Sequence, residues 1–499
     1  MLTGLTAEAR HPNAPASGGR KAFEMLRQSI GHPGLILTAS AIGVLAYFVR
    51  MWPNLPEVAM KTGDSDAYFN LESFRPPLYG WILNGWQWLH GSLDGLPELQ
   101  LCILMLTLFA FAAELGLLLR NALVAVAVVP LAMFHPGIWE APGWMMTESV
   151  YVSLVFAGMA AQFHYARNPG VAPLMLAGLC FGLATILRST GLLFLLLPVG
   201  AALFNGARPF ASSLKEAGAA LAVALCLIVG AMSWNASRHG HFEIGSWSGI
   251  SLLTKALLLT EPDDARGFPP LEAVAHYAPE ERALIAAQPD LAARLRAQVQ
   301  VASTDLRWGV FVPEAEKTWP AWQDADWRGR GLLAQRVSED LIRRHPLGAA
   351  RLWFNDWLAM LVQPAYWPSS WSTMTPDPAA FLACRESDNC WALQRYDAPL
   401  PKLSVLLVAS AVAPLAAIVL IVLRGVPTLR RRTSAITVLF VLTACAIHAT
   451  LLATAAFEAG NVRYTVALHV LELPLLFWLA FAAADWMRSV TRVARSSAV

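Results

Sequence analysis

Long apolar runs recur along this chain, and they constrain its fold more than any other feature. A helix of about 20 residues crosses a hydrocarbon core of roughly 30 Å, and runs near this length occur ten times. Apolar residues make up 56% of the 499 residues and charged residues only 14%, unlike a soluble domain. We therefore expect an all-α polytopic membrane protein with about ten transmembrane helices. The predicted spans are 35–52, 98–118, 121–136, 143–164, 172–187, 190–204, 216–234, 402–423, 433–454 and 464–484.

The spans divide the chain into five parts. No compact apolar core with a small-residue cleavage site precedes residue 35, so the first run is expected to be a retained span, not a removed signal peptide. The expected parts are a cytoplasmic tail at 1–34, spans one to seven at 35–234 with the first outer loop at 53–96, a small and mostly α extracytoplasmic domain at 235–401, spans eight to ten at 402–485, and a second cytoplasmic tail at 486–499.

Basic residues predict the orientation, because Lys and Arg collect in the cytoplasmic loops of membrane proteins. Ten alternating spans with both termini inside place most basic loop residues in the cytoplasm. The short outer connections then keep only four. The net charge of +2 gives no indication of a nucleic-acid partner, and none is expected. The inner set is Arg10, Arg20, Lys21, Arg27, Arg120, Arg167, Arg208, Lys215, Arg424, Arg430, Arg431, Arg432, Arg488, Arg492 and Arg495, and the outer set is Lys61, Arg75, Arg188 and Arg463.

The first outer loop contains two acids, in the stretch KTGDSDAYFNLESFRPPLY at 61–79. In an extended loop, Asp64 and Asp66 point in opposite directions, so only one enters a given cavity. We favour Asp64 as a base that accepts a proton from a hydroxyl, because Gly63 gives the backbone freedom there. The alternative is a solvated turn, or the N-cap of a helix that begins near Ala67.

Two cations, Lys61 and Arg75, flank the acids. Cations beside the outer leaflet can hold a phosphate headgroup through charge-assisted hydrogen bonds, and we group the aromatic Tyr68 with them as a candidate substrate contact. For Arg75 the alternative is a purely local role ahead of Pro76, where the backbone is extended. The stretch 77–93 that follows is partly apolar and contains three Trp, which predicts a helix lying along the membrane interface.

Further polar candidates lie at predicted span ends. Glu148 lies a few residues into the fourth span, where a carboxylate is costly unless it faces a wet cavity, or else it is an acid favoured by the helix dipole. Arg188 lies in a hinge between two spans, and its side chain could either bind an anion or extend to the membrane surface by snorkelling. Glu458, Arg463 and Tyr464 fall on the turn between spans nine and ten, where the Glu–Arg pair could also be structural.

These candidates share one predicted side of the membrane, whereas chance would divide them between two sides. The common side indicates an outward-facing polar site above an apolar bundle, able to bind a lipid with an anionic head. The residues concerned are Lys61, Asp64, Asp66, Arg75, Glu148, Arg188, Glu458 and Arg463.

Two cysteines stand alone in the predicted outer domain. Cys384 and Cys390 are expected to form a disulfide in an oxidising compartment, and the alternative is two free thiols. A zinc site is not expected, because no other Cys or His stands at ligand spacing nearby.

Five stretches in chain order resemble the GT-C superfamily of integral-membrane glycosyltransferases. GDSDAYFNLESFRPPLYGWIL is similar to the first-loop signature, and MTESVYVSLVFAG to the acid-bearing start of the fourth span. FGLATILRSTGLLFLLLP resembles the Arg-containing hinge, and RRHPLGAARLWFNDWL the helix that returns the outer domain to the membrane. FEAGNVRYTVALHVLELPLL resembles the late E-x-x-R-Y-x-x-P segment, with a longer spacing between the acid and the arginine. Gly80 and His469 depart from the family, because proline is commoner at or near these positions.

The resemblance implies an inverting transferase of the bacterial mannosyl- or arabinosyl-transferase type, in the inner (plasma) membrane with its active site facing the periplasm or exterior. The donor would be a polyprenyl-phosphate sugar, and the acceptor a glycan, protein or lipid hydroxyl. Asp64 would be the base, and Lys61, Arg188 or Arg463 would stabilise the departing phosphate. Glu148 would shape the site or bind a divalent metal, since metal dependence varies across the superfamily.

Two other classes of function are open. A transporter or flippase of a lipid-linked sugar would need a polar path through the bundle, whereas the charges here cluster at outer ends. A non-catalytic scaffold whose outer domain binds a partner would not need acids in the first loop.

Overall fold

The computed structural model describes residues 29–61, 64–133, 135–204, 208–245, 248–362, 412, 415, 435–457 and 465–496. Helices dominate these parts, and the strand-like pairing within them is limited to two isolated bridges, Val58–Asp94 and Met60–Trp144. The all-α prediction is confirmed for the described residues. Cys384, Cys390, Glu458, Arg463 and Tyr464 lie outside them, so the predictions for these five residues stay predictions.

The α-helices are α1 Pro33–Met51, α2 Ser65–Phe69, α3 Leu78–His90, α4 Leu96–Leu119, α5 Ala122–Met133, α6 Pro136–Trp139, α7 Glu148–Arg167, α8 Val171–Leu187, α9 Leu196–Leu203, α10 Phe210–His239, α11 Ser248–Ala256, α12 Pro262–Ala265, α13 Pro269–Ala286, α14 Leu291–Gln300, α15 Val312–Thr318, α16 Pro320–Gln323, α17 Trp327–Arg344, α18 Pro346–Val362, α19 Ala435–Phe457 and α20 Val466–Ser496. Short 3₁₀ segments are Trp52–Asn54, Ala141–Gly143, Ser189–Leu195 and Leu257–Leu259, and Val301–Phe311 is π-helical.

Four helices in the described parts are long and apolar enough to cross a membrane: α1 with its extension to Asn54, α4, α10, and Ile436–Phe457 within α19. A fifth candidate is a bent pair, α5 with the turn Gly137–Gly143, whose axes meet at 86°. The chain is therefore a multi-pass membrane protein by length and composition, but the expected count of ten spans is wrong for the described residues. The predicted span at 402–423 lies almost wholly outside them.

The remaining predicted spans fall short for identifiable reasons. The predicted span at 143–164 is α7, which starts later, carries Gln162 and His164, and is buried on nearly all sides by protein. The predicted spans at 172–187 and 190–204 are the short α8, then a 3₁₀ segment and α9. In α20 the apolar stretch ends at Phe481. Hydropathy alone does not distinguish a helix that crosses lipid from a helix buried among other helices.

The helix directions define two ends of the bundle. Near the start of α4, Gln100 Nε2 donates to Trp144 O at 3.1 Å, just before α7. Near the end of α4, Glu114 Oε2 accepts from Arg167 Nη2 at 2.6 Å, at the end of α7. α4 and α7 therefore run in the same direction, and α8 returns to the beginning of α7. We call that end, where α7 begins, the site end.

Small residues allow α8 and α10 to pack closely. Gly178 and Gly182 stand one turn apart on α8, and a Cβ on either would collide with α10 at Ala220 or Ala224. Small residues at this spacing let helix backbones approach each other where lipid offers no hydrophobic driving force. This contact sets the position of α8, and so of the hinge at Arg188 that follows it.

The helices between 248 and 362 have a separate apolar core, which includes the fully buried Trp322 and Phe311. A buried ion pair joins two of these helices, with Lys255 Nζ 2.7 Å from Asp356 Oδ2, and Lys255 Nζ also contacts Ala455 O of α19. Gln298 Nε2 donates to the other oxygen of Asp356 at 2.9 Å. The extracytoplasmic placement of these helices stays a prediction.

Candidate functional site

The first loop is attached to the segment that precedes α7. Met60 N donates to Gly143 O, and Met145 N donates to Met60 O, each at 2.9 Å. Ser65 Oγ is buried and donates to Met145 O at 2.9 Å. These three bonds place Asp64 at the site end of the bundle, close to the beginning of α7.

Asp64 is held by Arg75 in a mostly buried ion pair. Arg75 Nη2 donates to Asp64 Oδ1, and the two side chains are only 15% and 22% exposed. The Arg75 guanidinium also lies over the ring of Tyr68, 5.2 Å from its centroid, and over Phe74 at 5.3 Å. Asp64 occupies the N-cap position of α2 but makes no capping bond there. The carboxylate is therefore oriented by Arg75, and Asp64 lacks the side-chain bond that the N-cap alternative requires.

Lys61 and Asp66 lie on the exposed side of the same loop. Their side chains are 57% and 72% exposed, and Lys61 Nζ is 2.8 Å from Asp66 Oδ1. Of the two acids, Asp64 is thus mostly buried and Asp66 is exposed, whereas the cavity that one of them was expected to enter stays a prediction. The extended backbone assumed for it is wrong, because α2 already begins at Ser65.

Glu148 and Arg188 form a second ion pair at the site end. Arg188 Nη1 is 2.5 Å from Glu148 Oε1, and the Glu148 side chain is only 2% exposed. Thr147 Oγ1 donates to Glu148 Oε2 at 3.3 Å. Glu148 is also the first residue of α7, where the helix dipole favours an acid. Glu148 is therefore a helix-start acid that is buried in an ion pair, and the wet cavity expected around it stays a prediction.

The surroundings of Arg188 fit an internal charge better than a snorkelling one. Its guanidinium lies 5.7 Å from the centroid of the Tyr151 ring, and the Tyr151 hydroxyl is 3.0 Å from Thr190 Oγ1. In the described parts of the chain, no group of three His, Cys, Asp or Glu side chains is arranged to hold a metal ion. Glu148 is thus an ion-pair partner here, and the geometry does not assign it a metal.

Tyr79 lies between the two ion pairs, and sequence reasoning did not select it. Its ring meets that of Tyr68 edge-on at 5.4 Å, and its hydroxyl donates to Gln100 Oε1 at 3.2 Å. Burial, followed by the negative charge of Glu148, raises the pKa of Tyr79 well above its ordinary value. Tyr79 therefore stays a neutral donor. The sequence feature that could have indicated Tyr79 as a site residue is its position two residues after the double proline.

The predicted helix at 77–93 exists as α3, and Gly80 explains its contact with α2. A Cβ at Gly80 would collide with the carbonyl oxygen of Tyr68 and the side chain of Leu71. Asn84 Nδ2, one turn later, donates to Phe69 O at 2.9 Å. Gly80 therefore lets the loop that carries Asp64 and Tyr68 lie directly on α3.

We expect Gly80→Ala to destabilise the protein and to lower any activity that depends on the loop carrying Asp64. The added methyl group displaces the backbone at Tyr68, and overpacking of this kind costs about 1–3 kcal/mol. Thermal unfolding of the purified protein measures the loss. Gly85→Ala is the matched control, because it lies on the same helix with no atom within 4 Å of the added Cβ. Equal melting temperatures for the two variants would contradict the close approach at Gly80.

The structure thus brings together Asp64, Tyr68, Arg75, Glu148 and Arg188, all selected from the sequence. Basic residues assigned to the other face lie at the opposite end of the bundle: Arg120 ends α4, Arg167 ends α7, and Arg208 contacts Pro169 O after α7.

No family model, no curated protein and no solved structure matches this chain.

Proposed function

We propose that this protein is an inverting glycosyltransferase that moves a sugar from a polyprenyl-phosphate donor to an acceptor hydroxyl. The observation that carries the proposal is the pairing at the site end: a carboxylate held by Arg75 lies beside a buried carboxylate held by Arg188. An acid near a cation suits a reaction that removes a proton from a hydroxyl while negative charge develops on a phosphate.

Asp64 is the proposed base. The acceptor oxygen attacks the anomeric carbon of the donor, its proton passes to the Asp64 carboxylate, and the bond between that carbon and the phosphate oxygen breaks with its electron pair on the phosphate. Arg75 fixes the orientation of the carboxylate, as its contact with Asp64 indicates. Holding a base in a productive geometry is worth several kcal/mol of barrier.

Arg188 is the proposed phosphate ligand. The donor phosphodiester carries one negative charge, and the polyprenyl phosphate that leaves carries up to two, so a nearby cation stabilises the products more than the reactants. A guanidinium presents five N–H donors in a fork, which allows Arg188 to hold Glu148 and a phosphate oxygen together. Lys61 is proposed to meet the lipid headgroup from the exposed side, as its 57% exposure supports.

We place the site on the outer face of a bacterial plasma membrane. Positive charge collects on the cytoplasmic side of membrane proteins, and Arg120, Arg167 and Arg208 stand at the end of the bundle opposite Asp64. The exposed Trp88 and Leu89 of α3, 82% and 67% exposed, support its placement along the membrane interface.

Reconstitution into vesicles tests the function. We expect the protein to consume a polyprenyl-phosphate sugar, to release polyprenyl phosphate, and to leave a nucleotide sugar unused. The release is expected without movement of the lipid between leaflets, which a fluorescent lipid-linked sugar measures in the same vesicles. Lipid movement without release would favour a flippase and overturn the proposal.

A further inference from the structure

Three buried titratable side chains, His135, His469 and Glu472, meet away from the candidate site. The exposed fractions of the three residues are 1%, 4% and 9%. The two imidazole rings lie 4.9 Å apart, and His469 Nδ1 is 3.9 Å from Glu472 Oε2, one turn later on α20. His135 follows the end of α5, at the bend before α6. The proposed function uses none of the three.

Hydrogen-bond partners determine where the protons of both rings lie. His469 Nε2 is 3.2 Å from Leu131 O, and because a carbonyl oxygen only accepts, Nε2 carries a hydrogen. His469 Nδ1 is buried and has no hydrogen-bond partner. His135 Nδ1 accepts from Gly137 N at 3.1 Å, so the proton of His135 is on Nε2. A neutral His469 therefore turns a lone pair toward Glu472.

Without an additional proton, this arrangement is unfavourable. An ionised Glu472 would face the lone pair of His469 among the buried Leu468, Leu471 and Leu473, and an uncompensated buried carboxylate is costly. One proton removes the conflict, either as a protonated Glu472 that donates to Nδ1 or as an imidazolium–carboxylate pair. Both protonation states of the pair hold the same number of protons. If His469 Nδ1 and Glu472 Oε2 approach each other by about 1 Å, they form an ordinary hydrogen bond.

We propose that His469 and Glu472 together form a buried site that binds one proton at neutral pH and so holds α20 against the bend between α5 and α6. The site is independent of the proposed glycosyl transfer. It is connected to the Asp64 loop through the chain, because the segment after the bend runs through Gly143 and Met145, which bond to Met60.

A metal ion fits these residues less well than a proton. His135 Nδ1 already accepts a backbone N–H, so its Nε2 is protonated and cannot be a ligand. Only His469 Nδ1 and Glu472 would remain as ligands.

The other helices packed on α20 carry titratable groups of their own. On α7, these groups are paired: Glu148 with Arg188, Tyr151 with Thr190, His164 and Arg167 with Glu114, and Tyr165 with Glu216. On α19, His448 is buried.

The proposal predicts how stability depends on pH. In the unfolded chain His loses its proton near pH 6.5 and Glu near pH 4.3. The folded pair keeps one proton above pH 6.5, whereas the unfolded chain keeps none, so stability falls as pH rises above about 6.5. Between about pH 4.3 and 6.5 both states hold one proton, and this pair contributes no slope.

The test is the melting temperature of the purified full-length protein between pH 4 and 9. We expect the wild type to lose up to about 3 °C between pH 6.5 and 9 through this pair. In Glu472→Gln the amide donates to His469 Nδ1 without an added proton, so this loss disappears. In His469→Gln, Glu472 alone must keep the proton, so the decline begins near pH 4.3 instead. Glu57→Gln, at an exposed position of the first loop, is the control and keeps the wild-type profile.

Two results would overturn the proposal. One is a wild-type profile whose decline above pH 6.5 is unchanged by both Glu472→Gln and His469→Gln. The other is stabilisation by added zinc chloride that Glu472→Gln removes, because it would show that the pair binds a metal cation. If Glu472→Gln does not fold, the position of the decline in His469→Gln decides.

Discussion

Replacing Asp64 with Asn is expected to slow sugar transfer by about 10²–10⁴-fold, the usual contribution of a general base. The Asn side-chain oxygen can still accept from Arg75, so the loop keeps its shape, but the amide cannot take the acceptor proton. The initial rate of transfer in vesicles measures the loss, and thermal unfolding checks that the variant is folded.

Asp66→Asn is the matched control for this prediction. Asp66 lies two residues further along the same loop, is 72% exposed and pairs with Lys61 at the surface. Exposed pairs of this kind contribute only about 0–1 kcal/mol, so this variant should transfer sugar at close to the wild-type rate. Equal rates for Asp64→Asn and the wild type would remove Asp64 from the mechanism, whatever the protein's function.

Breaking the pair of Glu148 and Arg188 is expected to have the largest effect on stability. Removing one member of a buried ion pair leaves the other charge without its partner and costs about 3–5 kcal/mol. We therefore expect Glu148→Gln and Arg188→Met each to lower the free energy of unfolding strongly. The double variant should lose less than the sum of the two, because it leaves no buried charge behind.

Denaturant unfolding in detergent measures these differences. Glu339→Gln is a suitable reference, because it breaks a pair with Arg343 in which the two side chains are 41% and 74% exposed. A loss below about 1 kcal/mol is expected for that change. Additive losses in the double variant would contradict a direct interaction between Glu148 and Arg188.

The first loop shows how far the sequence could predict the site. The double proline was a local feature and correctly indicated that a helix follows, whereas the argument from the alternation of acids assumed an extended backbone that the structure does not have. The partner of each acid could not be predicted, because Arg75 reaches Asp64 through the turn between α2 and α3, and Arg188 reaches Glu148 from the end of another helix. Such pairings depend on tertiary packing, which local patterns do not encode.

The same distinction applies to the fold. The long uniform runs at α1, α4, α10 and α19 were recognised as helices of membrane-spanning length. The break at Arg188 was predicted as a hinge, but the bend near His135 was not, since a Gly- or Pro-containing run can continue or break with the same hydropathy. Gly80 looked like a departure from a family pattern, whereas in the structure it is a contact between two helices.

Photolabelling with a polyprenyl-phosphate sugar analogue tests most directly whether these two ion pairs form a site for such a donor. A diazirine on the first isoprene unit should label peptides from 60–79 and 144–151, and excess unlabelled polyprenyl phosphate should prevent the labelling. Label at the opposite end of the bundle, around Arg120 and Arg167, or label that polyprenyl phosphate does not displace, would contradict the account.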